Sequence, residues 1–396
     1  MVDHYPHRMS PERAMLVCCA RTDMDPRMVE RARLLARQIA DWPSLTRTAE
    51  MHGVLPLLFR NLDRTCPEIV PHETLEHLRE KYEGGYRRNL VMTGELCRLV
   101  TLFQSQDIPV IPFKGPTLAA AAYGHLGLRP FDDLDILIRK QDVQKAIALL
   151  ADEGYIPQFH FTERQTRAYI DTRYEMSLRD RRRKIFVELQ WEIVPRYFGF
   201  QLDVQELWSN SQQDRSTELP TLPPEDLLLI LCVHGSKHLW HRLSWICDIA
   251  QMIRAYPQLN WQRVVESAQE QGIMRKVLLG LSLSNALLET ELPKEISRLA
   301  QTDATVASLA SNVLEVLFRD PPNVGPAESV FFHLKSTDGF RDRMLYMWGF
   351  VLTTTPGDWT ANPLPGPFFP LYYLIRPLRL AKKYGGDALR RFCHGS

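Results

Sequence analysis

The spacing of apolar residues changes twice along this chain, and those two changes restrict its fold more than any other feature. Up to about residue 106 the spacing is helical. Met28 to Ile39 and Met51 to Leu62 predict short helices, and Thr74 to Phe103 carries Leu75, Leu78, Tyr82, Leu90, Leu96, Leu99 and Phe103 in one stripe, with Gly84-Gly85 expected to split it. At Ile108 the pattern turns strand-like. Ile108 to Phe113 is short, β-branched and rich in Pro, as an edge strand is. Leu134 to Arg139 predicts a second strand, and Tyr174 to Leu178 with Ile185 to Trp191, joined by the polar run Arg179 to Lys184, predicts a hairpin. Helices are expected at Leu118 to Tyr123 and at Asp142 to Glu153, the latter closed by Gly154; residues 155–172 show no dominant period. From Glu225 helical spacing returns, with helices at Asp226 to Trp240, Leu243 to Ala255, Trp261 to Gln271 and Met274 to Glu289, and others to about Phe350.

The expected class is therefore α+β: a small mixed sheet embraced by helices from both ends of the chain. The division reads as an N-terminal helical region over 1–106, an α/β core over 107–200, a C-terminal helical domain over 201–355, and a Pro-rich strap with a basic amphipathic tail over 356–396. Lys and Arg number 48 against 47 Asp and Glu, so overall basicity gives no argument for nucleic acid. No apolar run is long enough to predict a transmembrane helix, and the N-terminus lacks a signal-peptide pattern. The 7 cysteines are scattered, odd in number and never spaced C-x-x-C, which predicts free thiols in a reducing cytoplasm and no Cys-based zinc site.

The segment Asp132-Asp133-Leu134-Asp135-Ile136 carries the chemistry. On a strand, alternate side chains share a face, so Asp133 and Asp135 lie side by side while Leu134 and Ile136 point into the core. Two adjacent carboxylates repel, and both ionise readily only with a cation between them. Hard oxygen donors suit Mg²⁺, with Mn²⁺ as its substitute; the plainer alternative is an acidic strand end in a solvated turn. Two neighbours favour the first reading. Lys114-Gly115-Pro116-Thr117 forms a strand-to-helix turn of the kind that receives phosphate oxygens. Downstream, Glu188 and Gln190 share one face of a later strand, so Glu188 can add a third carboxylate. These are the parts of a two-metal nucleotidyl transfer.

Lys114-Gly115, Tyr123, Arg129 and Asp133-Leu134-Asp135 together resemble the K-G…Y…R…D-h-D-h pattern of the polymerase-β-like nucleotidyltransferase superfamily, in particular its bacterial family of uncharacterised nucleotidyltransferases. Substrate-adding toxins of toxin and antitoxin pairs share the central motif. Glu188-Leu189-Gln190-Trp191 resembles the family's D-h-H-W strand. His234-Gly235-Ser236-Lys237-His238 with Arg242, Trp245 and Asp248 resembles its H-x-x-x-H…R-h-x-W-h-x-D segment, and Leu374 to Leu378 a recurrent ending. The resemblance runs from about Met28 to about Tyr384. Two positions depart from the pattern: Pro116 stands where Gly or Ser is usual, and Glu188 and Gln190 where Asp and His are usual.

The resemblance implies an enzyme that moves a nucleoside monophosphate from an NTP to an acceptor hydroxyl. Asp133, Asp135 and Glu188 are the expected catalytic carboxylates and metal ligands; Lys114, Gly115, Thr117 and Arg129 are expected at the phosphates; Gln190, His234 and His238 are expected as substrate contacts. Association of such proteins with biosynthetic gene clusters favours a metabolite, peptide or protein acceptor over RNA. The alternatives are a catalytically silent nucleotide-binding or scaffold protein and a toxin-like modifier of RNA ends.

His234, His238 and His241 fall at i, i+4 and i+7, which predicts one helical face. The Glu of H-E-x-x-H is absent, so structural and phosphate-contact roles stand ahead of zinc. Arg179 to Lys184 reads as a solvated hairpin tip or a polyanion contact. Leu371 to Lys383 mixes aromatics with Arg376, Arg379, Lys382 and Lys383, which suits docking on the protein's own core or on a membrane surface or anionic partner.

Overall fold

The computed structural model describes residues 9–159, 161–182, 184–198, 200, 202–213, 219–319 and 325–353, together with 371, 375–377 and 379. The strap expected at Pro356 to Pro370 and most of the basic tail lie outside the described residues.

The fold is α+β with one five-stranded mixed sheet, built from β1 (Val110–Pro112), β2 (Asp133–Ile138), β3 (Tyr155–Pro157), β4 (Glu175–Asp180) and β5 (Phe186–Gln190). The order is β1-β2-β5-β4-β3; β2 and β5 are parallel and every other pair is antiparallel. Proline-containing β1 and β3 take the two edges, where a missing N–H costs no ladder bond. In β2, Leu134, Ile136, Leu137 and Ile138 are all fully buried because both faces of the sheet are covered. Leu134, Ile136 and Ile138 join a core formed with Met92, Leu96, Leu99 and Phe103, whereas Leu137 joins the larger helical core on the other side.

Helices from both ends of the chain share that larger core. The Asn61 amide donates to the carbonyls of Cys19 and Arg21 at 2.8 Å each, closing the N-terminal helices on one another. Thr22 then hydrogen-bonds Gln251 at 3.0 Å, and Arg13 donates to the carbonyl of Phe318 at 2.8 Å, docking that group on the C-terminal helices.

Several elements differ from the sequence expectation, each for a physical reason. Gly84-Gly85 does not break its helix, which runs unbroken over His72–Ser105. Each glycine costs about 1 kcal/mol relative to Ala, but the helix is anchored on either side: Leu75 and Leu78 lie in one core and Met92 to Phe103 in the other, with the exposed glycines in the span between. Residues 155–172 hold β3 and the helix Glu163–Thr172; the strand is too short to show a period, and the helix is announced by a Thr162 and Gln165 capping box. The helix Pro11–Cys19 shows no amphipathic stripe because Met15 to Cys19 are buried on every side.

Candidate active site

A cavity of about 490 Å³ opens between the sheet and the helix Pro224–Lys237. Its sheet wall follows from strand register. In the parallel pair Asp135 lies opposite Glu188, and in the hairpin Glu175 lies opposite Gln190, so one face presents Asp133, Asp135, Glu188, Gln190 and Glu175 to the same space.

Lys114 is aimed at this row by the turn that follows β1. Gly115 has φ +54°, in the left-handed region that favours glycine, and a Cβ there would lie 3.2 Å from the carbonyl oxygen of Asp133. The close approach brings the Lys114 ammonium to 2.6 Å from Asp135 Oδ1, with both side chains buried. Gln190 donates to the same Asp135 oxygen at 2.8 Å and to Glu188 Oε2 at 3.3 Å. The repelling pair expected from the D-x-D spacing is thus partly relieved: Asp135 already holds a cation, and that cation is Lys114.

The remaining acids are short of positive charge. Burial, followed by the charge of Asp135, pushes the Asp133 carboxyl up to about 6. Burial and the charges of Asp135 and Glu175 push Glu188 up to about 8. Burial alone would depress the Lys114 ammonium, but the charges of Asp135, Asp133 and Glu188 together hold it above the usual lysine value.

The helical wall is also dehydrated, with the opposite sign. The His234 and His238 rings meet at a tilt of 58° with centroids 4.7 Å apart, and the Trp245 ring lies 5.1 Å from His238 and 5.7 Å from His234. Burial, aided by the charge of Lys114, holds His234 well below the ordinary imidazole value; burial and Lys237 push His238 down to about 3. Both rings are therefore neutral at physiological pH. Lys237 lies 3.7 Å from Glu175 and 4.6 Å from the centre of the Tyr174 ring, and the Tyr174 hydroxyl donates to Glu175. Burial lowers the Lys237 ammonium by more than Glu175 restores.

Of the residues expected at the site, Lys114, Arg129, Asp133, Asp135, Glu188, Gln190, His234 and His238 line the cavity. Gly115 and Thr117 are not among the lining residues: Gly115 backs onto Asp133, and the Thr117 hydroxyl donates to the Lys114 carbonyl at 2.8 Å. Arg129 is committed to a protein partner, since its Nε and Nη2 grip the two oxygens of Asp248 at 2.7 and 2.9 Å. Tyr123 donates to Asp248 at 2.7 Å, so one buried carboxylate ties the helix after the lysine turn, the loop before β2 and the helix Leu243–Ala255 together.

His241 departs from the expected face. The histidine helix ends at Lys237 rather than Trp240, because Leu239 and Trp240 turn left-handed at φ +54° and +56°. The Trp240 indole folds back over Gly235, where a Cβ would sit 2.3 Å from the ring, and His241 is carried away from the cavity lining. Glu175 and Lys237 are lining residues that the sequence reading passed over. Counting the hairpin register back from Gln190 finds Glu175, and the i, i+3 spacing from His234 finds Lys237.

Asp133, Asp135 and Glu188 have the charge and donor type that a hard divalent cation takes, and burial first, then the neighbouring carboxylates, raise Asp133 and Glu188 above ordinary carboxyl values. Among the described residues no three acidic, histidine or cysteine side chains are gathered closely enough to hold a metal ion, and Lys114 and Gln190 both occupy Asp135.

Residues 38–289 match a family model described as "Uncharacterised nucleotidyltransferase". Among curated proteins none matches the chain. The matched stretch contains the whole sheet, the lysine turn and both helices of the opposite wall.

Proposed function

The chain belongs to the uncharacterised nucleotidyltransferase family, and from that premise we propose that it transfers a nucleoside monophosphate from ATP or another NTP to an acceptor hydroxyl, with Mg²⁺ required and pyrophosphate released. The observation that carries this reading is the row Asp133, Asp135 and Glu188 beside Lys114 in one cavity, with more negative charge than the protein itself neutralises.

Asp133, Asp135 and Glu188 would hold the divalent cation, which supplies charge stabilisation to the triphosphate when bound. Lys114 releases Asp135 as nucleotide binds and turns its ammonium to the phosphates, offsetting charge on the departing pyrophosphate. Glu188 keeps its own proton up to about 8 while the site is empty; once a bound cation has driven that proton to solvent, its carboxylate can take the proton from the acceptor hydroxyl. Arg129 acts through position, bracing the loop that delivers Asp133. The neutral rings of His234 and His238, with Trp245, offer hydrogen-bonding and stacking surface to the base or the acceptor without adding charge. A metabolite, peptide or protein is the acceptor favoured over RNA. The six described cysteines are free thiols, five of them buried, which supports a cytoplasmic setting.

A second reading, a nucleotide binder without turnover, draws on one observation: Asp135 Oδ1 carries both Lys114 and Gln190. Incubation with each labelled NTP, Mg²⁺ and a cell extract separates the two. Transfer of label by wild type and not by Asp133→Asn supports the enzyme. Nucleotide binding by calorimetry with no label transferred from any NTP would sink it in favour of the silent binder.

A further inference from the structure

Helices on a protein surface normally turn their apolar stripe inward. The helix Phe340–Leu352 does the reverse. Its inner side is held by Tyr346, whose ring packs among Tyr197, Phe198 and His333. Outward it presents Phe340, Met344, Leu345, Met347, Trp348 and Leu352, with Phe340 77% and Trp348 60% exposed. At about 100° per residue these six cover an arc of about 160°, and the exposed Arg341 falls inside it.

This part of the molecule is exceptional in two independent ways. Of the 14 large hydrophobic residues exposed among the described residues, 8 lie between Phe331 and Leu371. Residues 331–396 also hold nine Lys and Arg against four Asp, while the whole chain is balanced at 48 against 47. Arg376 of this segment is joined to the same helix, donating to the Phe350 carbonyl on the inner side at 2.9 and 3.3 Å.

We propose that the outward face of Phe340–Leu352, with the exposed Arg341 inside its arc and an excess of positive charge in the sequence around it, docks the protein on an anionic phospholipid surface. Aromatic and aliphatic side chains beside cationic ones are what a helix lying in a membrane interface requires. Positive charge on this scale is drawn to acidic headgroups and repels a second copy of the same face. Nucleic acid shares the charge preference but leaves the apolar arc in water, so it accounts for half of the feature only. No described helix is long and apolar enough to cross a membrane.

The test is co-sedimentation of the full chain with vesicles of phosphatidylcholine alone and of phosphatidylcholine with about 30% phosphatidylserine. The protein should pellet with the acidic vesicles and largely remain in solution with the neutral ones, and added salt should weaken the binding. Phe340→Ser with Trp348→Ser should lower the partition coefficient about tenfold or more, with the melting temperature as the check on folding, since both side chains are exposed. Arg341→Glu gives a second variant that acts through charge alone. Failure to pellet, or binding that the apolar variants leave unchanged, overturns the proposal. So does a dimer in analytical ultracentrifugation that the same variants dissociate, which would make the face a self-interface, or tight RNA binding without vesicle binding.

Discussion

The two walls of the cavity are buried alike and respond in opposite ways. On the sheet wall, burial raises Asp133 and Glu188; on the helical wall, it lowers His234, His238 and Lys237. A cavity lined by acids on one side and bases on the other could in principle neutralise itself. This one does not, because the imidazoles discard their charge instead of supplying it, and each lysine is matched to one acid: Lys114 to Asp135 and Lys237 to Glu175. Asp133 and Glu188 remain without a matched cation, so the unmatched acids lie on the sheet wall and the neutral imidazoles on the helical wall.

The contrast is broken most severely at the two aspartates. Asp133→Asn removes a charge that has no buried ion-pair partner, so label transfer should fall by about three orders of magnitude or more while the melting temperature holds or rises slightly. Asp135→Asn should lose as much activity and, unlike its neighbour, destabilise the fold by about 3 kcal/mol, because Lys114 is left buried without its partner. Equal stability of the two variants would erase the distinction drawn between them.

Arg129→Ala comes next, since it strips Asp248 of a bidentate partner in a buried setting. A loss of about 3 to 5 kcal/mol is expected in denaturant titration. An intact fold with only a raised KM for nucleotide would instead assign Arg129 to the phosphates. On the helical wall, Gly235→Ala drives a methyl into the Trp240 ring and should cost about 1 to 3 kcal/mol; thermal melting reads this directly, and a wild-type melting curve would refute the packing account of where the histidine helix stops.

The pH response should carry the signature of the sheet wall. Glu188 sits above its unfolded value of about 4.5 in the native state, so the native state binds more protons between that value and about 8. Its contribution is therefore full below about pH 4.5 and is lost as pH rises through about 8. Metal-free wild type should melt progressively lower across that window relative to Glu188→Gln, and Mg²⁺ should recover stability at the alkaline end. Parallel pH profiles for the two proteins would contradict the raised value. The smallest effect belongs to His241→Ala, off the cavity lining, which should change stability by no more than about 0.5 kcal/mol and leave transfer rates alone, whereas His238→Ala should alter KM.

Much of this was legible before the fold was known. The D-x-D alternation put Asp133 and Asp135 on one side of their strand, and the parity of Glu188 and Gln190 put those two together on one side of theirs, because strand periodicity is local geometry. The Lys114 turn was readable from Gly115 and Pro116. Distance-dependent facts were not. The unbroken helix through Gly84-Gly85 depends on two separate cores gripping its ends, and the displacement of His241 depends on an indole that returns to its own helix.

The sequence by itself determined most of the element types, the mixed sheet between helical regions, and the side-chain parity that lines up the carboxylates, since each depends on backbone period and on residues a few positions apart. Only the tertiary structure decided which charges meet. That Lys114 lies on Asp135, that Arg129 is held by Asp248 across 119 positions of chain, and that the histidines are neutral are outcomes of burial and of contacts between distant segments. Coulomb energy and desolvation depend on separation in space and on the exclusion of water. A linear sequence contains neither quantity until the chain has closed around them.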